Sequence, residues 1–239
     1  MGCSRSSGWA SLVAFAMAMS GYPANAADWP QWRGPDRDGV SRETGLLEVW
    51  PESGPKLLWQ RDGIGKGMGS VAISDGRIYT LGLIDGRTRL IAVSERDGSP
   101  IWTADVGPGN PNGTPTVADG LVYAVGREGD LVCCNIFCGH GHNNGFPMCI
   151  EMATGKWTWE EQRGAGTGSA AIVYADGRLY FRYENGEMAL VAAEPAGYRL
   201  VSQFTLASVK GKSWPHPVIA GGRLYIRDQE SLLCYDVAR

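Results

Sequence analysis

Apolar and polar residues in this chain alternate in short runs that are cut by Asp-Gly and Gly-rich steps. The clearest run begins at Ser70-Val71-Ala72-Ile73 and passes through Asp75-Gly76-Arg77-Ile78-Tyr79. Asp and Gly tolerate the positive φ of a type I′ turn, so an apolar run, Asp-Gly and an alternating run together predict a β-hairpin. The pattern predicts strands over 70–74, 77–83 and 88–94, with Asp85-Gly86 turning the second into the third. Arg96-Asp97-Gly98 then turns into a fourth strand ending at Trp102.

The hairpin phrase recurs as Asp119-Gly120-Leu121-Val122-Tyr123, Asp176-Gly177-Arg178-Leu179-Tyr180 and Gly221-Gly222-Arg223-Leu224-Tyr225, at spacings of 44, 57 and 45 residues. Four antiparallel strands per ~40–50 residues is the period of a β-propeller blade. No stretch keeps an i, i+3, i+4 apolar spacing for three turns, which argues against a helical solenoid. The predicted fold is all-β: a propeller of four-stranded antiparallel blades, about four blade equivalents in number, with an incomplete ring as one outcome.

A second phrase ends two of the units. Ala92-Val93-Ser94-Glu95-Arg96-Asp97-Gly98-Ser99-Pro100-Ile101-Trp102 aligns in frame with Cys149-Ile150-Glu151-Met152-Ala153-Thr154-Gly155-Lys156-Trp157-Thr158-Trp159. Each has Gly at the turn and Trp four residues later. A large flat ring at a fixed place on an outer strand can seal the surface between blades, which nominates Trp59, Trp102 and Trp159 as docking residues. The third unit lacks both the Gly turn and the Trp.

These phrases resemble the tryptophan-docking repeat of quinoprotein dehydrogenases and of their non-enzymatic relatives, which include the outer-membrane assembly lipoprotein propeller. The opening Asp28-Trp29-Pro30-Gln31-Trp32-Arg33-Gly34-Pro35 is similar to the start of secreted bacterial proteins of that class. Ser94 and Glu151 depart from the pattern, which prefers Asp there. Relatives of this kind carry about seven or eight blades. Two origins for the smaller number stay open: loss of central blades with a join near 135–139, and a true four-bladed ring with an insertion.

Bookkeeping of strands isolates the middle and the two ends. Blade two runs through 116–118, 121–126 and 131–135, then enters a Gly/Asn-rich segment over 136–147 before a further third-strand pattern, Met148–Met152. The last blade stops after its third strand at Val237, whereas Lys56-Leu57-Leu58-Trp59 is an outer strand without a blade. Pairing the two removes a free sheet edge.

Composition changes the picture in two places. Arg5, an apolar run from Trp9 to Met19 and Ala24-Asn25-Ala26 read as a signal peptide over 1–26, with the propeller domain over 27–239. Eleven apolar residues are too few for the ~20 of a transmembrane span. The chain is therefore expected to be periplasmic or secreted. The formal charge of −3 becomes −4 once Arg5 is removed, with 21 Lys and Arg against 25 Asp and Glu. That balance offers no basic face to nucleic acid.

Few residues suggest chemistry. No nucleophile elbow, phosphate loop or His-Glu-x-x-His motif occurs. Cys133-Cys134 reads as one inward and one outward thiol on a strand. The resemblance implies a second reading, a vicinal disulfide against a quinone. Cys149 and Cys234 read as buried free thiols within strands. Cys138, His140 and His142 read as part of a polar loop and not as a metal site, since no second ligand pair stands at zinc-finger spacing. His140, His142, Asn143 and Asn144 are the densest polar group and are taken as candidate binding residues. Ser213-Trp214-Pro215-His216-Pro217 places Trp214 and His216 either at the ring mouth or in an extended segment covering a blade. Phe181-Arg182-Tyr183-Glu184-Asn185-Gly186 reads as strand and turn.

Two functions follow. The first is a non-catalytic exported scaffold that binds a protein or polysaccharide partner and needs no cofactor. The alternative, implied by the resemblance, is a dehydrogenase of alcohols or sugars, or a fragment of one, dependent on pyrroloquinoline quinone (PQQ) with calcium.

Overall fold

The computed structural model describes residues 28–118, 121–124, 148–150, 157–160, 164–194 and 196–239, with main chain alone for 121, 148–150 and 157–160. All regular structure among them is β. In chain order the strands are β1 (Lys56–Arg61), β2 (Ala72–Ser74), β3 (Arg77–Ile84), β4 (Arg87–Ser94), β5 (Pro100–Pro108), β6 (Thr116–Ala118), β7 (Leu121–Tyr123), β8 (Met148–Ile150) and β9 (Trp157–Glu160). They continue as β10 (Ala170–Ala175), β11 (Arg178–Tyr183), β12 (Glu187–Ala192), β13 (Leu200–Thr205), β14 (Val218–Ala220), β15 (Arg223–Asp228) and β16 (Ser231–Asp236). Three sheets have four strands, in the orders β2-β3-β4-β5, β10-β11-β12-β13 and β1-β16-β15-β14. Two have two strands, β6-β7 and β8-β9. Every pairing between these strands is antiparallel, as propeller blades require.

The turns form for the reason the sequence indicates. Asp75, Asp85 and Asp176 sit at φ 52°, 50° and 45°, each followed by a Gly at about 70°. Two consecutive positive φ values twist a two-residue turn in the same sense as its strands. The outer strand of the first blade differs from expectation: it continues past Trp102 to Pro108. All of β4 back to Arg87 offers it partners, and Asp105 is gripped by Arg87 at 2.6 Å and Arg89 at 3.4 Å.

Lys56–Arg61 completes the last blade, running from Lys56 opposite Asp236 to Arg61 opposite Leu232. The indole of Trp59 then lies on Gly98 of the first blade, where a Cβ would stand 2.7 Å from the ring. It also faces Tyr225 at 6.3 Å. In the first blade Trp102 occupies the matching register place, opposite Ala92, which is opposite Tyr79; the two rings are 5.9 Å apart.

In the blade of β10–β13, the third along the chain, that place belongs to Ser202, aligned through Leu190 with Tyr180. The missing indole comes from elsewhere. Trp50 donates its main-chain N–H to Ser202 Oγ at 3.0 Å, and its ring lies 5.6 Å from Tyr180 and 5.0 Å from Phe204. A residue 152 positions away in sequence thus does what the outer strand cannot.

Trp50 belongs to a segment that touches every long blade. Contacts between sheets run through their first strands, β2 with β6 and β10 with β14, so these strands are innermost. Trp29 exchanges two main-chain hydrogen bonds with Ile73 of β2, and Val117 of β6 donates to Pro30 O. Tyr174 of β10 accepts from Ser41 and donates to Gly39 O. Ile73, Val117 and Tyr174 each stand two residues before the Asp of an Asp-Gly step in the sequence, so one stretch of chain pairs at the same repeat place in three blades. Glu43 then accepts from the N–H groups of Gly221 and Gly222, and Leu47 donates to Val237 O.

Two tests follow. Trp50→Ala should destabilise the protein by about 3–5 kcal/mol in urea unfolding, the cost of a buried aromatic cavity, and Trp50→Phe by clearly less. Deleting residues 56–61 should expose the apolar edge of β16 and produce aggregates by size-exclusion chromatography; a monomeric deletion variant would contradict the pairing's role.

Candidate functional site

Two arginines at one repeat position organise the surfaces between blades. Each stands two residues after the second-strand tyrosine: Arg182 after Tyr180 and Arg227 after Tyr225. Burying a guanidinium is costly unless its N–H groups are satisfied. Arg227 donates to the carbonyls of Leu81 at 2.6 Å, Gly65 at 3.0 Å and Gln229 at 3.0 Å, and to Thr80 Oγ1. Gly67 makes room for it, since a Cβ there would stand 2.5 Å from Nη2. Burial brings the pKa of Arg227 down to about 10, so the group stays charged at neutral pH.

Arg182 makes the matching clamp between the third and last blades. Its Nη2 is 2.9 Å from Asp228 Oδ1, both side chains are fully buried, and Nη1 donates to the Ser213 carbonyl. Asp228 Oδ2 in turn accepts from the main-chain N–H of Lys210 at 2.5 Å. Ser213 Oγ donates to Arg227 O at 3.3 Å. The loop over 207–214 is therefore tied to two blades at once.

This loop forms one wall of an open groove of about 540 Å³. Val209, Gly211, Lys212 and Trp214 line that wall; Thr167, Gly168, Ser169, Glu184 and Asn185 line the other. The second wall is also fixed. Glu184 donates its N–H to Ser169 O at 2.8 Å, and Asn185 Oδ1 accepts from Thr167 N at 3.2 Å. Glu184 Oε2 accepts from Ser169 N, whereas the buried Oε1 accepts no hydrogen bond among the described residues and has the Lys212 ammonium at 3.7 Å. Trp214 is 42% exposed between buried Ser213 and buried Pro215. Its anchor is rigid and its ring is open.

Of the residues nominated from sequence, Trp214 lies in this groove. His216 turns away from it: Nδ1 is 3.3 Å from Ile172 O, and its ring meets Trp32 edge-on at 6.1 Å. Trp59 and Trp102 have the blade positions given above. Trp159 lies in β9 opposite Cys149 of β8, described by main chain alone. His140, His142, Asn143 and Asn144, together with Cys133, Cys134, Cys138, the 136–147 segment and the signal segment 1–26, lie outside the described residues. Cys234 is a buried free thiol whose pKa burial pushes up to about 12.

Sequence reading missed Glu184, Asn185 and Lys212 as groove residues. The stretch 181–186 is strand and turn, as expected, and its turn is also a wall. The available signal was Arg182 and Arg227 within apolar strands, a burial cost that only an inter-blade partner explains.

The profile of the PQQ-repeat family described as outer membrane protein assembly factor BamB matches residues 45–239. The chain belongs to this family. No curated protein matches it. Among solved structures, it is similar to BamB from Moraxella catarrhalis, at 16% identity and TM-score 0.25, over 71% of this chain and 59% of that one. It is similar to the quinohemoprotein alcohol dehydrogenase ADHIIG from Pseudomonas putida HK5, at 17% identity and TM-score 0.33, over 84% and 34%. It is also similar to the quinohemoprotein alcohol dehydrogenase from Comamonas testosteroni, at 20% identity and TM-score 0.34, over 77% and 27%. The chain thus spans 27% to 59% of the length of these three structures.

A quinone held on the propeller axis does not fit the described residues. The inner edges of β2, β6 and β10 are taken by main-chain hydrogen bonds to residues 29–41. Buried Trp29 fills the space beside them, packed against Gly34. Among the described residues no three of His, Cys, Asp and Glu converge to hold an ion. No helix among them is long and apolar enough to cross a membrane.

Arg182→Met would strand the Asp228 carboxylate in the core and free the Ser213 carbonyl. Urea unfolding should show a loss of about 3–5 kcal/mol, with faster amide exchange at Lys210 than in the parent protein.

Proposed function

We propose that this protein is a non-catalytic, exported scaffold whose groove beside Trp214 receives a protein or polysaccharide partner in the cell envelope. The observation that carries this reading is the groove itself. Its two walls are fixed from behind by the buried Arg182–Asp228 pair and by the Glu184 and Asn185 bonds, while its lining stays open to solvent. Rigid elements presenting exposed aromatic and polar groups are how binding surfaces limit the entropy lost on association.

Family membership supports the reading, because the family is described as an outer-membrane protein assembly factor. The signal-like residues 1–26 support export, and a mature start near Ala27 would leave Trp29 free to reach β2. The occupied inner edges weigh against a quinone-dependent dehydrogenase. On this reading His140, His142, Asn143 and Asn144 remain candidates for a second contact, and Trp214 is the primary one.

The test is a titration of the exported form with PQQ and calcium, followed by assay with alcohols and sugars. No quinone absorbance should remain with the protein after gel filtration, and no substrate-dependent dye reduction should appear. Stoichiometric quinone uptake with turnover would overturn the scaffold reading.

A further inference from the structure

Resting on that reading, we propose that the groove is a carbohydrate subsite, with Trp214 as the platform for one sugar ring. The argument begins from what a pyranose presents: one face of C–H groups and a rim of hydroxyls that each donate and accept. Its complement is a flat aromatic ring, held still, beside a mixed set of short polar groups.

The groove supplies both parts. The main chain that carries Trp214 is fixed, because Ser213 before it and Pro215 after it are buried, and the Ser213 carbonyl is held by Arg182. Around it stand the Glu184 carboxylate, the Asn185 amide, the Lys212 ammonium and the Thr167 and Ser169 hydroxyls. Glu184 Oε1 is buried without a hydrogen-bond donor among the described residues, and the largely exposed Lys212 ammonium lies 3.7 Å from it, so the carboxylate holds that cation at the rim of the groove.

The small residues matter as much as the polar ones. Gly168 has φ +78°, and a Cβ there would stand 2.6 Å from Glu184 Oε2, so glycine leaves the room in which that carboxylate packs against its wall. Gly211 leaves the facing wall without a side chain, at φ +123° with nothing among the described residues within 4 Å of its would-be Cβ. A peptide would need a deeper apolar pocket for an anchoring side chain, and the apolar groups here are Val209 and the Trp214 face. Glu184 and Lys212 carry opposite charges, which suits a neutral or amide-bearing sugar over a strongly charged one.

The experiment uses the full exported form and calorimetric titration with three probes: oligosaccharides of β-linked glucose, of β-linked N-acetylglucosamine and of α-linked glucose. At least one should bind. Trp214→Ala should weaken that binding about tenfold or more, and Trp214→Phe should stay within about threefold of the parent. Because the ring is exposed, both variants should keep the parent's thermal unfolding midpoint. Absence of binding to all three probes overturns the carbohydrate assignment, as does a Trp214→Ala variant that binds as tightly as the parent. A photo-cross-linking residue at position 212 separates this from the broader reading. Capture of an envelope protein there, without sugar binding, overturns the carbohydrate assignment and leaves the scaffold standing. Quinone turnover overturns the scaffold.

Discussion

A buried guanidinium reaching from one blade into the next is the constraint on which this structure turns. Blades pack face to face through apolar side chains, which fix distance well but resist sliding poorly, because the hydrophobic effect has no direction. Arg227 removes that freedom by donating to carbonyls of the neighbouring blade at Gly65 and Leu81. Arg182 does so through Ser213 and Asp228. Each guanidinium would be intolerable in the core without its partners, so any register that misplaces the blades is penalised. In the first blade the same repeat position is Leu81, which receives a clamp and does not send one.

The segment over 28–50 adds a second kind of order, along the axis. Inner strands of a propeller present free N–H and C=O groups toward the centre, and these must find partners. Here the chain's own beginning supplies them at equivalent places on β2, β6 and β10, then brings Trp50 to the blade whose outer strand has Ser202 where Trp would stand. One stretch therefore satisfies polar edges and repairs an apolar gap. That use of the axis is also why the chain departs from what its likeness to quinoprotein enzymes implies.

These two devices meet at the groove. Arg182 is a clamp between blades and the anchor of the Ser213 carbonyl, so the rigidity that holds the third blade to the last also sets the position of Trp214. A site on such a loop keeps the exposure of a loop and the precision of a sheet. Substitutions behind the groove and substitutions in it should separate cleanly: the first change stability, the second change affinity alone.

The sequence by itself determined the local structure and its repetition. Asp-Gly steps before alternating runs specify hairpins, because few residues other than Gly, Asp and Asn accept the φ those turns need. Counting outer strands also placed Lys56–Trp59 beside the last blade, since an unpaired edge at each end has one economical remedy. The extent of β5 was underread because its last residues are held by Asp105 and its arginines, not by apolar alternation. Only the tertiary structure decided that Trp50 serves Tyr180, that residues 29–41 line the axis, and that Glu184 faces Trp214. Those relations join residues 130, 44 to 135 and 30 positions apart. Their partners are chosen by where the blades converge in space, and no periodicity in the chain encodes that.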